Sequence, residues 1–298
     1  MTFKKILIVS GTHGNEINPI WAVNQFIKQD NTIDTNIEYK FIIGNPLAYE
    51  KGSRYIDTDL NRSFSLAKNN KDKNNYEFNR ANFLVKKFGI NGSDPCELAI
   101  DLHTTTANMG TSIVMYGRRR KDFCLAALLQ HKFGLPIYLH EKDAKQTGFL
   151  VEAWPCGLVI EIGSVAQNYY DPKIINKFLI IFSSLRDEIN KFKNNQIKLP
   201  KGLIVHIHQG SIDYPRDTNG NINALIHPKR MNQDWKPIKN GDPLFMDLLG
   251  NTRTYKGENT IWPVFIGEVA YKEKNIAMSY TKKEVINLSN QILEEFFS

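Results

Sequence analysis

The sequence has few cysteines and no glycine-rich phosphate loop. Its 298 residues include three cysteines, Cys96, Cys124 and Cys156, which lie far apart and form no CxxC pair. This pattern argues against a disulfide framework or a cysteine-rich zinc site and predicts reduced, partly buried thiols. Neither a GxGxxG nor a Walker-type segment is present, so the sequence carries no recognisable nucleotide-binding loop.

Long hydrophobic segments are missing as well. Apolar stretches such as residues 178–182 fall far short of the roughly 20 residues that a membrane-spanning helix needs. The apolar run at residues 6–9 is too short for the core of a signal peptide. We therefore expect a cytoplasmic protein with no membrane partner.

The chain has no acidic excess, since 38 Lys and Arg residues outnumber 31 Asp and Glu residues for a net charge of +7. The densest basic cluster is Arg118, Arg119, Arg120 and Lys121. Nucleic-acid binders usually carry a longer basic stripe with interleaved aromatic residues, or a known motif. Because neither is found, we interpret the cluster as solvated surface and expect no nucleic-acid partner.

A hydrophobic content of 42% excludes global disorder, and strand and helix patterns alternate in the first two thirds of the chain. We predict strands at residues 5–9, 39–43, 98–102, 111–116, 136–140 and 158–162, and helices at residues 19–28, 78–88, 122–133 and 172–191. This alternation predicts a mixed or mostly parallel sheet covered on both faces, an α/β fold.

The pattern changes after a polar linker at residues 191–201. Short extended runs and turns follow, and only residues 282–297 have a helical pattern. The sequence therefore predicts a catalytic domain over residues 1–198 and a small β-rich domain over residues 199–298.

Two histidines and a glutamate follow directly on predicted buried strands. His13 and Glu16 have the i, i+3 spacing that places two side chains on one side of a helical turn. His103 follows the apolar run at residues 98–100, where Asp101 is placed to orient its imidazole. Taken singly, these residues have simpler interpretations, namely a surface histidine, a helix-start glutamate and a core histidine.

Glu161 lies inside the apolar run at residues 158–162, where a carboxylate is costly to bury without a task or a partner. Beside a catalytic zinc it would suit a general base, and the alternative is a solvent-facing glutamate at a strand edge. In open α/β sheets, ligand sites gather at the carboxyl ends of the strands. Two histidines and one glutamate there match the three protein ligands of a catalytic zinc, so together the segments predict a zinc hydrolase.

Residues 54–62 contain Arg54, Asn61 and Arg62, which suit the recognition of an anion. Asp57 and Asp59 lie between them, and surface ion pairs with the two arginines are an equally good interpretation. Farther along the chain, His206 and His208 point the same way on a predicted strand, toward solvent or an interface.

Eight ordered motifs, which extend over nearly the whole chain, resemble those of the aspartoacylase/succinylglutamate desuccinylase family. They lie at residues 11–16 (GTHGNE), 45–46 (NP), 54–62 (RYIDTDLNR), 101–110 (DLHTTTANMG), 160–163 (IEIG), 213–220 (DYPRDTNG), 226–237 (IHPKRMNQDWKP) and 262–271 (WPVFIGEVAY).

The resemblance implies a zinc carboxypeptidase-like α/β domain with helices on both faces of a mixed sheet, followed by a β-rich domain near the active-site entrance. It implies one zinc per chain and hydrolysis of N-acetyl-L-aspartate to acetate and L-aspartate. An amidohydrolase for other N-acyl amino acids, aromatic or neutral, is the first alternative, and a catalytically silent zinc-binding protein is the second. It also implies a small-molecule partner and allows a homo-oligomer.

The resemblance also implies roles for eight residues. The implied metal ligands are His13, Glu16 and His103. The implied catalytic residues, which also contact substrate, are Glu161 as general base and then acid, and Arg54 as the group that polarises the acyl carbonyl. The implied ligands of the substrate's α-carboxylate are Asn61, Arg62 and Tyr271.

The sequence departs from the family at one implied position. In well-studied animal members, an arginine shortly before the catalytic glutamate binds the aspartate side chain. Counting back from Glu161 gives Val151 here, with Thr147 at the matching tyrosine position and Glu152 adjacent. Lys145 and the basic cluster at residues 118–121 are the alternative sources of a cation.

Overall fold

A computed structural model describes residues 4–29, 37–64, 74–141, 143, 146–194 and 196–288. Five helices lie within these ranges: α1 (Ile17–Gln29), α2 (Pro46–Lys51), α3 (Tyr76–Phe88), α4 (Arg120–Phe133) and α5 (Pro172–Lys193). The first six strands are β1 (Lys5–Ser10), β2 (Glu38–Ile43), β3 (Leu98–Thr105), β4 (Thr111–Tyr116), β5 (Ile137–His140) and β6 (Cys156–Gly163). The remaining strands are β7 (Gly202–Ile212), β8 (Ala224–Ile226), β9 (Pro243–Asp247), β10 (Thr252–Thr254), β11 (Trp262–Val264) and β12 (Met278–Asn287).

Nine strands form one mixed sheet in the order β11-β12-β7-β5-β4-β6-β3-β1-β2, and β10-β9-β8 form a smaller sheet. Strands β2, β1, β3 and β6 run parallel to one another, whereas β4 is antiparallel to β6. The apolar runs of β1 and β3 are almost completely buried, because helices cover both faces of the sheet. The predicted α/β fold with a mixed sheet and a β-rich C-terminal part is confirmed.

The two faces of the sheet have separate hydrophobic cores. On one face, side chains such as Ile100 and Leu102 pack with residues of α1, α4 and α5. On the other face, Leu7 and Ala99 pack with α3 and with the turn that contains Leu150. Side chains alternate between the two faces of a strand. A site on the second face can therefore use only side chains that point to that face, next to its core residues.

The helix predicted for residues 282–297 is wrong over its first part. Residues 282–287 belong to β12, which pairs with β7 in antiparallel register from Met278↔Ile212 to Asn287↔Gly202. Residues 289–298 lie outside the described part of the chain. The Lys and Glu residues of this segment favour a helix locally, but pairing along an 11-residue strand outweighs that weak preference.

The C-terminal third contributes to both sheets. Strands β7, β11 and β12 continue the large sheet, while β8, β9 and β10 form the small one around a third core. The domain boundary at residues 198/199 lies between α5 and β7 and stays a prediction. All three cysteines are buried, and none of them forms a disulfide bond. Among the described helices, none is long and apolar enough to span a bilayer.

Candidate active site

The site lies where three adjacent strands, β1, β3 and β6, present polar side chains. His13 and Glu16 occupy the loop between β1 and α1, His103 lies on β3, and Glu161 lies on β6. Strand register pairs His103 directly with Glu161. The structure thus brings together the three segments that sequence patterns single out. Both β3 and β6 extend beyond the predicted ends, so His103 and Glu161 lie within the strands.

A close backbone approach fixes the loop after β1. A Cβ atom on Gly14 would lie 2.1 Å from the carbonyl carbon of Ala48 in α2, so a larger residue cannot fit. The Gly14 amide donates to the Arg54 carbonyl at 3.1 Å. This contact holds the segment that begins at Arg54 against the loop that carries His13 and Glu16.

The three predicted metal ligands form one buried group. Their potential ligand atoms all lie within 4.8 Å of one another. One oxygen of Glu16, Oε1, is 2.6 Å from His13 Nδ1, and the other, Oε2, is 3.1 Å from His103 Nδ1. Both imidazoles therefore turn the same ring atom, Nδ1, toward a shared carboxylate.

Carboxylates also hold the far side of both imidazoles. His13 Nε2 lies 3.0 Å from Asp59 Oδ1, and His103 Nε2 lies 2.8 Å from Asp101 Oδ2. Asp101 in turn accepts a hydrogen bond from Thr12 Oγ1 at 2.6 Å. A metal-binding histidine usually has a carboxylate hydrogen-bonded to the ring nitrogen that faces away from the metal. This carboxylate fixes the orientation of the ring and makes the other nitrogen a stronger metal ligand.

The charges of the group fit a divalent cation. Burial would raise the pKa of Glu16, but the two imidazoles beside it hold that pKa well below its usual range. Burial would likewise lower the pKa of His103, whereas Asp101 and Glu16 hold it well above its usual range. Three carboxylates thus surround two imidazoles, and two nitrogens with one oxygen form a donor set that zinc accepts.

Glu161 lies on an interior strand, between β3 and β4, so the interpretation as a strand-edge residue is wrong. Its Oε2 atom is buried and has no hydrogen-bond partner among the described residues. Burial raises the pKa of Glu161 to about 8, with Glu16 and Glu268 acting in the same direction and His103 opposing them. A carboxyl with a raised pKa can take up and release a proton near neutral pH.

The arginine-rich segment borders the same group. Arg54 donates to Glu16 Oε1 at 3.4 Å and to Asp59 Oδ2 at 3.3 Å. The ion pair between Arg54 and Asp59 that the sequence allows is therefore present, but inside the cavity and not on the open surface. Asp57 instead accepts the backbone amide of Tyr76 at 2.7 Å.

Arg62 and Asn61 line another part of the cavity. The guanidinium of Arg62 lies 4.0 Å from the Phe149 ring centroid and donates to the Asn61 carbonyl and to Gln146. The side-chain oxygen of Asn61 accepts the Leu150 amide at 2.7 Å, which leaves its amino group 3.5 Å from His103 Nε2. Tyr271 enters from a 3₁₀ turn, Val269–Lys274, in the C-terminal third.

These residues surround one cavity. All eight residues to which the sequence assigns a role line it: His13, Glu16, Arg54, Asn61, Arg62, His103, Glu161 and Tyr271. Their placement supports a common site, and their individual roles stay predictions.

Sequence patterns do not reveal how three acidic residues organise the cavity. Asp59 contacts both His13 and Arg54. Glu77, which is fully buried, accepts the backbone amides of residues 56, 57 and 58 at 2.7, 3.0 and 3.1 Å and so shapes the loop after Arg54. Glu268 accepts from Thr105 Oγ1 and from the backbone amides of residues 106 and 107.

Of the three, Glu268 had a sequence signal, since it stands in the GEVAY segment of a recognised motif. Asp59 also lies within a motif, but its spacing does not reveal a partner 46 residues away. No local pattern marks Glu77, which reads as an ordinary residue in the first turn of α3.

Val151, the position counted back from Glu161, does not face the cavity, and the neighbouring residue that does is Phe149. Val151 is fully buried in the hydrophobic core, whereas Phe149 lines the cavity and stacks on Tyr116 with ring centroids 3.6 Å apart. Glu152 does not face a substrate either, because its carboxylate accepts the amides of residues 148 and 149. Thr147 is exposed.

The alternative cations do not reach the cavity in the described part of the chain. Arg118 forms a bidentate pair with Glu141, and Arg119 binds Asp122 together with backbone carbonyls at the end of the Val151 turn. Neither arginine lines the cavity. Lys145 lies outside the described residues.

Comparisons with known proteins agree with this geometry. Residues 2–189 match the sequence model of the succinylglutamate desuccinylase/aspartoacylase catalytic domain, and residues 201–283 match that of the AstE/AspA barrel-sandwich hybrid domain. A Prochlorococcus marinus (strain MIT 9515) protein named probable aspartoacylase is 81% identical over 298 residues, with 100% of both chains covered. Murine aminoacylase 3 superimposes with a TM-score of 0.86 at 27% identity, covering 96% of this chain and 97% of that chain.

The fold and the matches define the class of the protein, which is a hydrolase. More specifically, the chain belongs to the succinylglutamate desuccinylase/aspartoacylase family.

Proposed function

We propose that the protein hydrolyses the amide bond of N-acyl amino acids with one zinc ion per chain, held by His13, Glu16 and His103. The observation that carries the proposal is the convergence of two Nδ1 atoms and a carboxylate within 4.8 Å, beside Glu161, whose buried Oε2 atom has no hydrogen-bond partner among the described residues. A zinc ion bound there would act as a Lewis acid on the acyl carbonyl and make water a better nucleophile.

The chain's own residues would move the proton. Glu161, in its ionised form, accepts a proton from the attacking water and then delivers it to the nitrogen of the leaving amine. Arg54 stabilises the negative charge that develops on the acyl oxygen. Burial would lower the pKa of Arg54, but Asp59 and Glu16 raise it, so the guanidinium stays charged.

The substrate's α-carboxylate would bind in the part of the cavity that Arg62 and Asn61 line. Arg62 presents a planar fork of donors that suits a carboxylate, with Asn61 and Tyr271 at its sides. Because every N-acyl amino acid carries this group, we expect Arg62→Ala to lower kcat/KM for all of them alike. This contact would orient the scissile amide toward the metal group.

The first candidate substrate is N-acetyl-L-aspartate, which would yield acetate and L-aspartate. The names of relatives at 81% and 48% identity support it. The second candidate is a neutral or aromatic N-acyl amino acid, favoured by the stacked wall of Tyr116 and Phe149. A silent zinc-binding protein fits less well, since it would need neither Glu161 nor Arg54.

The test is product release by the zinc-loaded protein from N-acetyl-L-aspartate, N-acetyl-L-leucine and N-acetyl-L-phenylalanine. We expect hydrolysis of at least one substrate, with Glu161→Gln as the inactive control. The ratio of kcat/KM values between the first substrate and the other two decides between the candidates. Absence of hydrolysis across a wider panel of N-acyl amino acids would contradict the proposed function.

A cytoplasmic setting and a homo-oligomeric assembly complete the proposal. Three buried thiols that form no disulfide suit a reducing compartment. The proposed partner is the small-molecule substrate alone, without nucleic acid or membrane.

A further inference from the structure

A tyrosine and two histidines form a hydrogen-bonded cluster at the wall of the catalytic cavity. Tyr138 Oη lies 3.1 Å from His140 Nδ1 and 2.8 Å from His208 Nδ1, and the two imidazole centroids are 4.8 Å apart. Tyr138 and His140 line the catalytic cavity, whereas His208 lines a second, open cavity beside it. The mechanism proposed above uses none of the three.

The hydroxyl between the two histidines restricts their tautomers. A tyrosine hydroxyl has one proton, so one of the two Nδ1 atoms accepts it and the other must donate. When Tyr138 donates to His140, the hydrogen of the neutral His140 ring is on Nε2. Burial lowers the pKa of His140 to about 4, with help from His208 and Arg62, while Asp143 and the Gln146 carbonyl act in the opposite direction. The ring is therefore neutral at physiological pH.

The outer nitrogen of this ring makes no hydrogen bond of normal geometry within the described residues, although the Gln146 carbonyl lies near the ring. His140 is 7% exposed, and its Nε2 atom is buried with no hydrogen bond among the described residues. Buried polar atoms of this kind are rare in folded proteins, and one in a cavity wall points to a ligand. The residue stands at the end of β5, with ring centroids 5.5 Å from Phe149 and 5.8 Å from Tyr116.

The side chains around this nitrogen are largely aromatic. Phe149 and Tyr116 form an aromatic wall there, and among the described lining residues the arginines are Arg54 and Arg62, with no lysine. Both arginines already have proposed tasks at the acyl oxygen and the α-carboxylate. A polar atom of the substrate's side chain therefore needs a different donor.

We propose that His140 is a specificity-determining residue whose Nε2–H donates a hydrogen bond to the side-chain carboxylate of an N-acyl-aspartate. The inference rests on the proposed amidohydrolase function and names the group that selects the substrate. A neutral imidazole donor is easier to bury than a guanidinium, and the aromatic wall around it still accepts the methylene of the side chain. Tyr138 and His208 are positioning residues that select the donor tautomer.

The experiment compares two variants that differ in where they place an amide. The amide nitrogen of glutamine reaches about as far as imidazole Nε2, whereas that of asparagine stays near Nδ1. The readout is the ratio of kcat/KM for N-acetyl-L-aspartate to that for N-acetyl-L-leucine, which has a similar shape without the carboxylate. Because both values come from one preparation, the ratio is independent of losses of fold or zinc.

In His140→Asn, we expect the ratio to fall roughly tenfold to a hundredfold, since a hydrogen bond to a charged group is lost. His140→Gln should keep the ratio close to the wild-type value. The matched control is His206→Asn, which replaces a buried histidine on the neighbouring strand that does not line the cavity. It should leave the ratio unchanged.

An unchanged ratio in His140→Asn, or equal losses in the asparagine and glutamine variants, would overturn the proposal. Hydrolysis of neither substrate by the wild type would instead count against the proposed function. Nitrogen NMR of histidine-labelled, zinc-loaded protein then decides the role of His140. We expect L-aspartate to shift an Nε2 signal that is missing from the His140→Asn spectrum, and no shift would refute the role.

Discussion

Glu161 and His103 face each other across two neighbouring strands, yet their replacement should have different effects. We expect Glu161→Gln to keep about one zinc per chain, as a three-ligand site implies, because the proposed ligands are untouched. Its kcat should fall roughly 10²-fold or more, since it lacks the proton-transfer group. His103→Ala should lose both metal and activity. Metal analysis and steady-state kinetics check both variants, and full zinc occupancy in His103→Ala would mean that the ligand assignment is wrong.

Asp59 supports His13 from behind, and the sequence does not single it out. Asp59→Asn should weaken zinc binding by roughly 10-fold to 100-fold, the usual effect of removing the carboxylate behind a ligand histidine. Competition with a chromogenic chelator measures this affinity. Asp57→Asn is the matched control, because that carboxylate contacts the Tyr76 amide and not the metal group. Equal affinities for the two variants would show that Asp59 serves only Arg54.

The positions of site residues could be predicted from the sequence where the residue lies on a buried strand. His103 and Glu161 follow apolar runs whose burial fixes the strand, and so their place at the site. Phe149 was missed because counting along the chain assumes a fixed number of residues, whereas a 3₁₀ turn, Leu150–Ala153, decides which side chain faces the cavity. Asp59 was missed because its partner comes from a distant loop.

At the scale of elements, apolar runs identified the interior strands and amphipathic patterns identified the long helices. Strand β12 was mistaken for a helix because its stabilising partner, β7, lies about 70 residues away in sequence, from Met278↔Ile212 at one end. Local propensity carries no information about such a partner. The error is therefore confined to an element whose conformation depends on non-local pairing.

The 3₁₀ turn that carries Tyr271 is anchored by Glu268. One carboxylate oxygen accepts the amides of residues 106 and 107, while the other caps the turn at the Ala270 amide. Glu268→Ala leaves these donors unpaired, so we expect a loss of about 1–3 kcal/mol in the free energy of unfolding. KM should rise for every N-acyl amino acid, because Tyr271 is no longer held.

Denaturant titration and KM measurements test this prediction. Glu273→Ala serves as the control, since Glu273 is in the same turn and contacts Tyr55 Oη at the surface. A normal KM in a destabilised Glu268→Ala protein would mean that Glu268 stabilises the fold without contributing to substrate binding.

For the whole molecule, His206 on β7 is part of the packing inside the C-terminal third. It is buried between Trp235 and Trp262, with ring centroids 5.1 and 6.1 Å away. Of the two settings that the sequence allows, solvent or an interface, burial excludes solvent. Burial lowers the pKa of His206 to about 4, with Lys283 acting in the same direction.

The pKa of His206 is lower in the folded protein than in the unfolded chain. Its contribution to stability is therefore complete above the unfolded-state pKa and is lost as the pH falls from about 6.5 toward 4. At pH 5 the loss from His206 is at most about 2 kcal/mol. We expect His206→Gln to show a smaller decrease in unfolding free energy between pH 7 and pH 5 than the wild type. His131→Gln, which removes an exposed imidazole on α4, is the control, and parallel decreases in both variants would contradict the prediction.

The order of strands in the large sheet has a consequence for biosynthesis. During translation, β5 is synthesised some 60 residues before its sheet neighbour β7. Strand β7 in turn cannot pair on its other side until β12 has been synthesised. Glu268, Tyr271 and Ser279 reach the cavity only in the last stretch of translation. A prematurely terminated chain would therefore carry the proposed metal ligands without the residues that close the cavity around them. Such fragments would expose an unpaired strand edge, which makes them substrates for chaperones and proteases.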